Sequence, residues 1–138
     1  MTPKNLTPQP AGQYILYKDV KSRIVINVLY ENNDVWLTQL QMASLFHVSR
    51  ENICLHTRSV YKMAELQEKR TFKKFLIVQT EGSRTVRRNI AHYNMDMIVA
   101  VGYRIKSPAA MQFRKWVSQR CKQVIIEKQK KVPVKKKA

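Results

Sequence analysis

The side chains able to carry chemistry in this sequence are few and scattered. Three histidines (His47, His56, His92) and two cysteines (Cys54, Cys121) supply the imidazoles and thiols. Cys54 and His56 stand two apart, which on a helix points them away from each other, and no other pair has ligand spacing. No metal is expected. No serine sits on a strained Gly-flanked turn with a His and an acid to serve it, so no catalytic constellation, and hence no enzyme, is read. Three glycines are too few for a Gly-rich phosphate loop, and cysteines 67 positions apart make no disulfide scaffold. No cofactor and no small-molecule substrate are expected. What remains is charge: 26 Lys and Arg against 9 Asp and Glu give a net +17 over 138 residues.

The charge is not confined to one end. Residues 120–138 hold eight basic residues and one acid, a net +7, but residues 1–119 still carry +10. A body this basic points to a polyanionic partner. No run of about 18 apolar residues exists to span a membrane. The first residues lack the apolar stretch of a secretory signal. A cytoplasmic, nucleoid-associated protein is the expectation.

One segment arranges charge as a reader of DNA would. In residues 39–58, QLQMASLFHVSRENICLHTR, small Ala43 occupies the fifth position, where two helices of a helix-turn-helix touch. Met42, Phe46, Val48 and Ile53 supply the apolar positions that weld such a pair. His47 stands where a left-handed residue is needed, usually Gly, and His56 where an apolar residue is usual. Ser49 caps the second helix and Arg50 follows it, so a guanidinium leaves the end that enters a major groove. Arg50, Glu51, Asn52, Cys54, Leu55 and Arg58 are the candidate base readers. Thr38, Gln39 and Ser49 at the helix starts, with Lys62, Lys73 and Lys74, are candidate phosphate contacts. Arg84, Arg87 and Arg88 join them from the hairpin that follows.

The elements that must position these residues follow from periodicity. Residues 1–12, with three prolines, read as a disordered arm. Residues 13–18 and 23–30 read as a strand pair, and Val35 to Leu37 as a short apolar stub. Thr38 caps a first helix. The second runs from Arg50 to about Met63. Residues 71–80 and 84–93 form a hairpin through a three-residue loop, Glu81-Gly82-Ser83, in the place of a wing. Asn94 caps a helix to Ile105. Ser107, with Pro108 at the first helical position, opens an amphipathic helix carrying Phe113, Trp116, Val117, Cys121, Val124 and Ile125 on one face. Residues 127–138 form a Lys-rich tail. The fold expected over 13–126 is α+β: a winged-helix-like domain with an N-terminal strand pair and a C-terminal amphipathic helix.

Two runs carry a family resemblance. VWLTQLQMASLFHVSRENICLH at 35–56 and YNMDMIVAVGYRIKSPAAMQFRKWVSQ at 93–119 resemble the N-terminal domain of the RhuM virulence-protein family. The VGYR block, Val101 to Arg104, is the most distinctive part. FRKW at 113–116 is more distantly similar to phage Bro-N and KilA-N DNA-binding domains. The resemblance spans about residues 13–126 and implies a DNA-binding protein of a bacterial or phage-derived mobile element. Members generally continue into a long C-terminal region, whose activity does not carry over. Together these readings give sequence-influenced binding to double-stranded DNA by a regulator, with a homodimer as the default because one recognition helix reads few bases. The alternative is a protein-interaction module, an adaptor or antitoxin-like partner, that works through the helix at 108–126.

Overall fold

Runs of β-branched and aromatic residues build the sheet, and Asx turns set its register. The computed structural model describes the backbone of residues 13–131 and the side chains of 13–120. Strand β1 (Gln13–Asp19) pairs antiparallel with β2 (Ile24–Glu31), from Gln13 opposite Tyr30 to Asp19 opposite Ile24. The turn between them is held by Asp19, whose carboxylate accepts the Lys21 N–H and the Ser22 hydroxyl at 3.2 and 2.8 Å. Asn32 and Asn33 both take positive φ, the demand of a two-residue type I′ turn, and return the chain as β3 (Asp34–Leu37).

The apolar stub expected at Val35–Leu37 is this third strand. It pairs with β2 on one side and on the other with β5 (Arg84–Asn94), Trp36 opposite Asn94 and Leu37 opposite Tyr93. The strand pair and the later hairpin are therefore one five-stranded antiparallel sheet, ordered β1-β2-β3-β5-β4, with β4 (Phe72–Glu81) at its edge. The hairpin loop is two residues, not the three expected, because Glu81 pairs directly with Arg84. Gly82 alone of the two loop residues has positive φ, which a Gly takes without cost.

The helices cover one face of the sheet. Helix α1 (Gln39–Phe46) starts on a reciprocal cap: the Gln41 N–H donates to the Thr38 hydroxyl and the Thr38 N–H to the Gln41 side chain. It ends at His47, which is left-handed at φ 57, ψ 45 as the helix-turn-helix spacing requires. That conformation lets the Val48 N–H reach the Ala43 carbonyl at 3.1 Å. Helix α2 (Arg50–Lys62) follows a three-residue turn. A one-turn helix, α3 (Glu68–Thr71), was not expected from the sequence and leads into β4. Helix α4 (Met95–Ile105) is capped by Asn94, whose side chain accepts the Met97 N–H. Ser107 accepts the Ala109 N–H at the start of α5 (Ala109–Lys131). The boundary drawn at residue 126 falls inside this helix. Residues 1–12 and 132–138 lie outside the described residues, as do the side chains of Cys121, Val124 and Ile125.

Alternation sorts the sheet residues between two cores. Ile15, Tyr17, Ile26, Val28, Val35, Leu37 and Tyr93 meet Met42, Phe46, Ile53, Met97, Val101 and Phe113 in the main one. Leu29, Trp36 and Phe75 pack on the opposite face, with Trp36 and Phe75 edge to face at 5.7 Å. The architecture is α+β, five strands and five helices among the described residues.

Candidate nucleic-acid interface

Helix α2 separates anchoring residues from free ones. Ile53, Thr57 and Val60 are buried, so Thr57 takes the inward position expected of the neighbouring His56, which is half-buried. Thr57 offsets its polarity locally, donating to the Cys54 carbonyl at 3.0 Å. On the other side Arg50, Glu51 and Arg58 are exposed, and Leu55 is 64% exposed. Cys54 and Asn52 are half-buried, and the Asn52 carbonyl oxygen is buried without a partner. Ser49 accepts the Asn52 N–H at 3.0 Å and so fixes the first turn from which Arg50 projects.

The residues at the start of α1 are engaged internally. Gln39 donates to the Tyr93 hydroxyl at 3.1 Å and approaches Thr57 at 3.5 Å, which ties α1 to α2 and to β5. Burial pushes the Tyr93 phenol up from its ordinary pKa. Gln41 donates to the Asn27 carbonyl at 3.0 Å. Thr38 holds its cap. These positions offer a nucleic acid their backbone more than their side chains.

The basic residues of the hairpin divide. Lys73 pairs with buried Glu31 at 3.0 Å and lies 5.1 Å from the Phe75 ring centroid, so its charge is spent within the protein. Lys74 is exposed and alternates to the other face, and Lys62 is exposed in the last turn of α2. Arg84, Arg87 and Arg88 are all exposed. Arg88 grips the Glu81 carboxylate with two 3.0 Å bonds, which lowers the Glu81 pKa and raises that of Arg88. Arg84 and Arg88 share one face of β5, while Arg87 faces the other way opposite Val78. The three arginines expected to act together are thus split by the pleat and by one ion pair.

A feature absent from the sequence reading lies between the two hairpins. A cleft of about 590 Å³ opens where β3 ends, with Tyr14 and Asn27 on one wall and Ile77, Gln79, Ile90 and His92 on the other. Thr38 to Gln41 and Arg50 complete it. No local pattern marks these residues, because the sheet joins them across gaps of 50 positions and more. His92 is buried against Phe75, and burial lowers its pKa. Its Nδ1 lies 2.8 Å from the Ile90 carbonyl, a contact that calls for a proton on Nδ1.

The VGYR block is mostly structural. Val101 is core, and Gly102 lies so close to α5 that a Cβ there would meet the Ala110 Cβ at 2.3 Å. Arg104 pairs with Glu65. Tyr103 alone projects, 84% exposed. The described part of the α5 face expected as a working surface in the alternative reading turns inward: Phe113 is buried and Trp116 and Val117 pack on the core. Among the described residues no group of three His, Cys, Asp or Glu could hold a metal, and no helix is long and apolar enough to cross a membrane.

Neither the curated proteins nor the solved structures contain a match to the chain. The scan of family models matches the part that begins just before β4 and runs through the hairpin, α4 and most of α5. It leaves out the α1–α2 unit, so the resemblance read at 35–56 lies outside it. Residues 70–130 match the model of the Virulence protein RhuM family, the family that the VGYR and FRKW runs resemble.

Proposed function

We propose that the protein binds double-stranded DNA through a winged-helix-like arrangement, with the first turn of α2 in the major groove and the β4–β5 hairpin on the backbone. The observation that carries this reading is the division of α2: Ile53, Thr57 and Val60 anchor it while Arg50, Glu51, Leu55 and Arg58 stay exposed beside a capped N-terminus. A net charge of +17 supports a polyanion as partner. The family match supports a virulence-associated or mobile-element setting. In that setting the protein acts in the cytoplasm, on the nucleoid, as a regulator that binds without catalysis. A homodimer would double the number of bases read.

Salt dependence tests the reading. If about five to eight phosphates are neutralised, log K falls against log salt with a slope of about −5 to −7. Removing residues 128–138 flattens the slope and leaves sequence preference unchanged. Changing Arg84 and Arg87 together to Ala weakens all duplexes alike, whereas Arg88→Ala has the smaller effect because Glu81 already neutralises it. A slope near zero for the intact protein removes DNA from its partners.

A further inference from the structure

We propose that the cleft between the two hairpins binds one unpaired nucleotide, its base held against Tyr14 and its phosphate directed to Arg50. The volume of about 590 Å³ lies within the range of small-molecule sites. Its walls are of two kinds. Tyr14, Leu40, Ile77 and Ile90 offer apolar and aromatic surface, and Tyr14 is 45% exposed with its ring available for stacking. Asn27 and Gln79 offer donors and acceptors.

The floor is already built. Gln39 and Gln41 spend their side chains on Tyr93, Thr57 and the Asn27 carbonyl, so they fix the shape of the cleft. The side-chain amides of Asn27 and Gln79 enter none of the hydrogen bonds that hold the floor. An amide presents a donor and an acceptor side by side, the pattern that base edges also present. Among the described residues that line the cleft, Arg50 supplies the cationic side chain. A purely aliphatic ligand would leave the amides and Arg50 unpaired, and inorganic phosphate would leave the apolar walls wet. A nucleotide satisfies both. It could come free in solution or from an unpaired position in a nucleic acid. The inference does not need duplex binding to hold.

The test has two arms. One titrates the four deoxynucleoside 5′-monophosphates by calorimetry. The other compares a duplex carrying one central unpaired nucleotide with the same duplex fully paired, by fluorescence anisotropy. Binding of a monophosphate assigns the site to free nucleotides; tighter binding of the bulged duplex alone assigns it to nucleic acid. In whichever arm responds, Tyr14→Ala weakens binding roughly tenfold, the scale of one base–aromatic stack, and Tyr14→Phe retains it. Tyr14 and Gln79 lie outside both cores, so Tyr14→Ala and Gln79→Ala leave the fold in place. Affinity for the paired duplex is unchanged by Tyr14→Ala. The proposal is overturned if no monophosphate binds and both duplexes bind alike, or if Tyr14→Ala weakens both duplexes equally. Monophosphate binding without any duplex binding would overturn the duplex reading and leave this one standing.

Discussion

The α1–α2 pair and the outer half of the β4–β5 hairpin are both basic and both project from the sheet, yet they are built in opposite ways. The helix pair is tied down: Met42, Phe46, Ile53 and Val60 are buried, both helix starts are capped, and Gln39 stitches α1 to β5. The hairpin beyond Ile77 adds nothing to either core. It is held by its own ladder, a two-residue turn and the Arg88–Glu81 pair. A two-stranded ribbon of that kind is marginal by itself. Under the proposed DNA binding, the difference suits the two regions to different tasks. Base reading needs side chains held to within fractions of an ångström, which only the anchored helix provides. Phosphate contact tolerates movement, and the hairpin is suited to it.

The largest expected effect comes from loosening the helix pair. Ile53 has no exposed surface, and Ile53→Ala leaves a cavity in the main core, at a cost of about 2–5 kcal/mol. Arg87→Ala in the hairpin should stay within about 0.5 kcal/mol. Urea unfolding of the two variants measures the contrast, and equal losses would break it.

A second perturbation reaches the helix pair from behind. Gly102 lets α4 approach α5 closely, and a Cβ there meets Ala110 at 2.3 Å and the Phe46 ring at 3.2 Å. Gly102→Ala should destabilise by about 1–3 kcal/mol through overpacking. Ala110→Gly in the same chain should recover part of that loss, because it removes the atom in conflict. Additive losses would show that the close approach is not the cause.

Much of this was legible in the sequence, and the reason is locality. Thr38 with Gln41, Ser49 before Arg50, and Asn94 before Met95 announce their caps within four residues. The helix-turn-helix spacing placed a left-handed residue at His47 although it is not Gly. What was not legible depends on partners far along the chain. The stub at Val35–Leu37 becomes a strand only because β2 and β5 flank it. Lys73 reads as a free phosphate ligand until Glu31, 42 positions earlier, is seen to pair with it. Thr57 in place of His56 on the inner face follows the i, i+4, i+7 spacing of Ile53, Thr57 and Val60, which the polarity of Thr57 hides from a search for apolar residues. The cleft needs two hairpins to be set side by side, so its lining carries no sequence signature.

The smallest effect sharpens the comparison from the base of the hairpin, where it joins the rigid body. Burial lowers the His92 pKa below its ordinary 6.5. The unfolded chain therefore binds a proton that the folded protein refuses. Stability from this residue is complete above about pH 6.5 and declines as pH falls from there through the lowered folded value. Asp34, whose pKa burial raises, works in the opposite sense. Urea midpoints measured from about pH 7.5 down to about pH 5.5 should fall for the wild type and stay flatter for His92→Gln. Parallel curves would mean that His92 is not the group that titrates.

Selection of DNA sites from random duplexes with the wild type and with Arg50→Ala shows whether α2 reads bases. Arg50 leaves the Ser49-capped first turn of α2 and is exposed, so its loss spares the core. A guanidinium there can reach O6 and N7 of one guanine together. Arg50→Ala is expected to weaken the selected site by about 1–3 kcal/mol and to relax preference at a single base pair. If both proteins enrich the same motif with the same base weights, α2 does not read DNA through Arg50, and the account is contradicted.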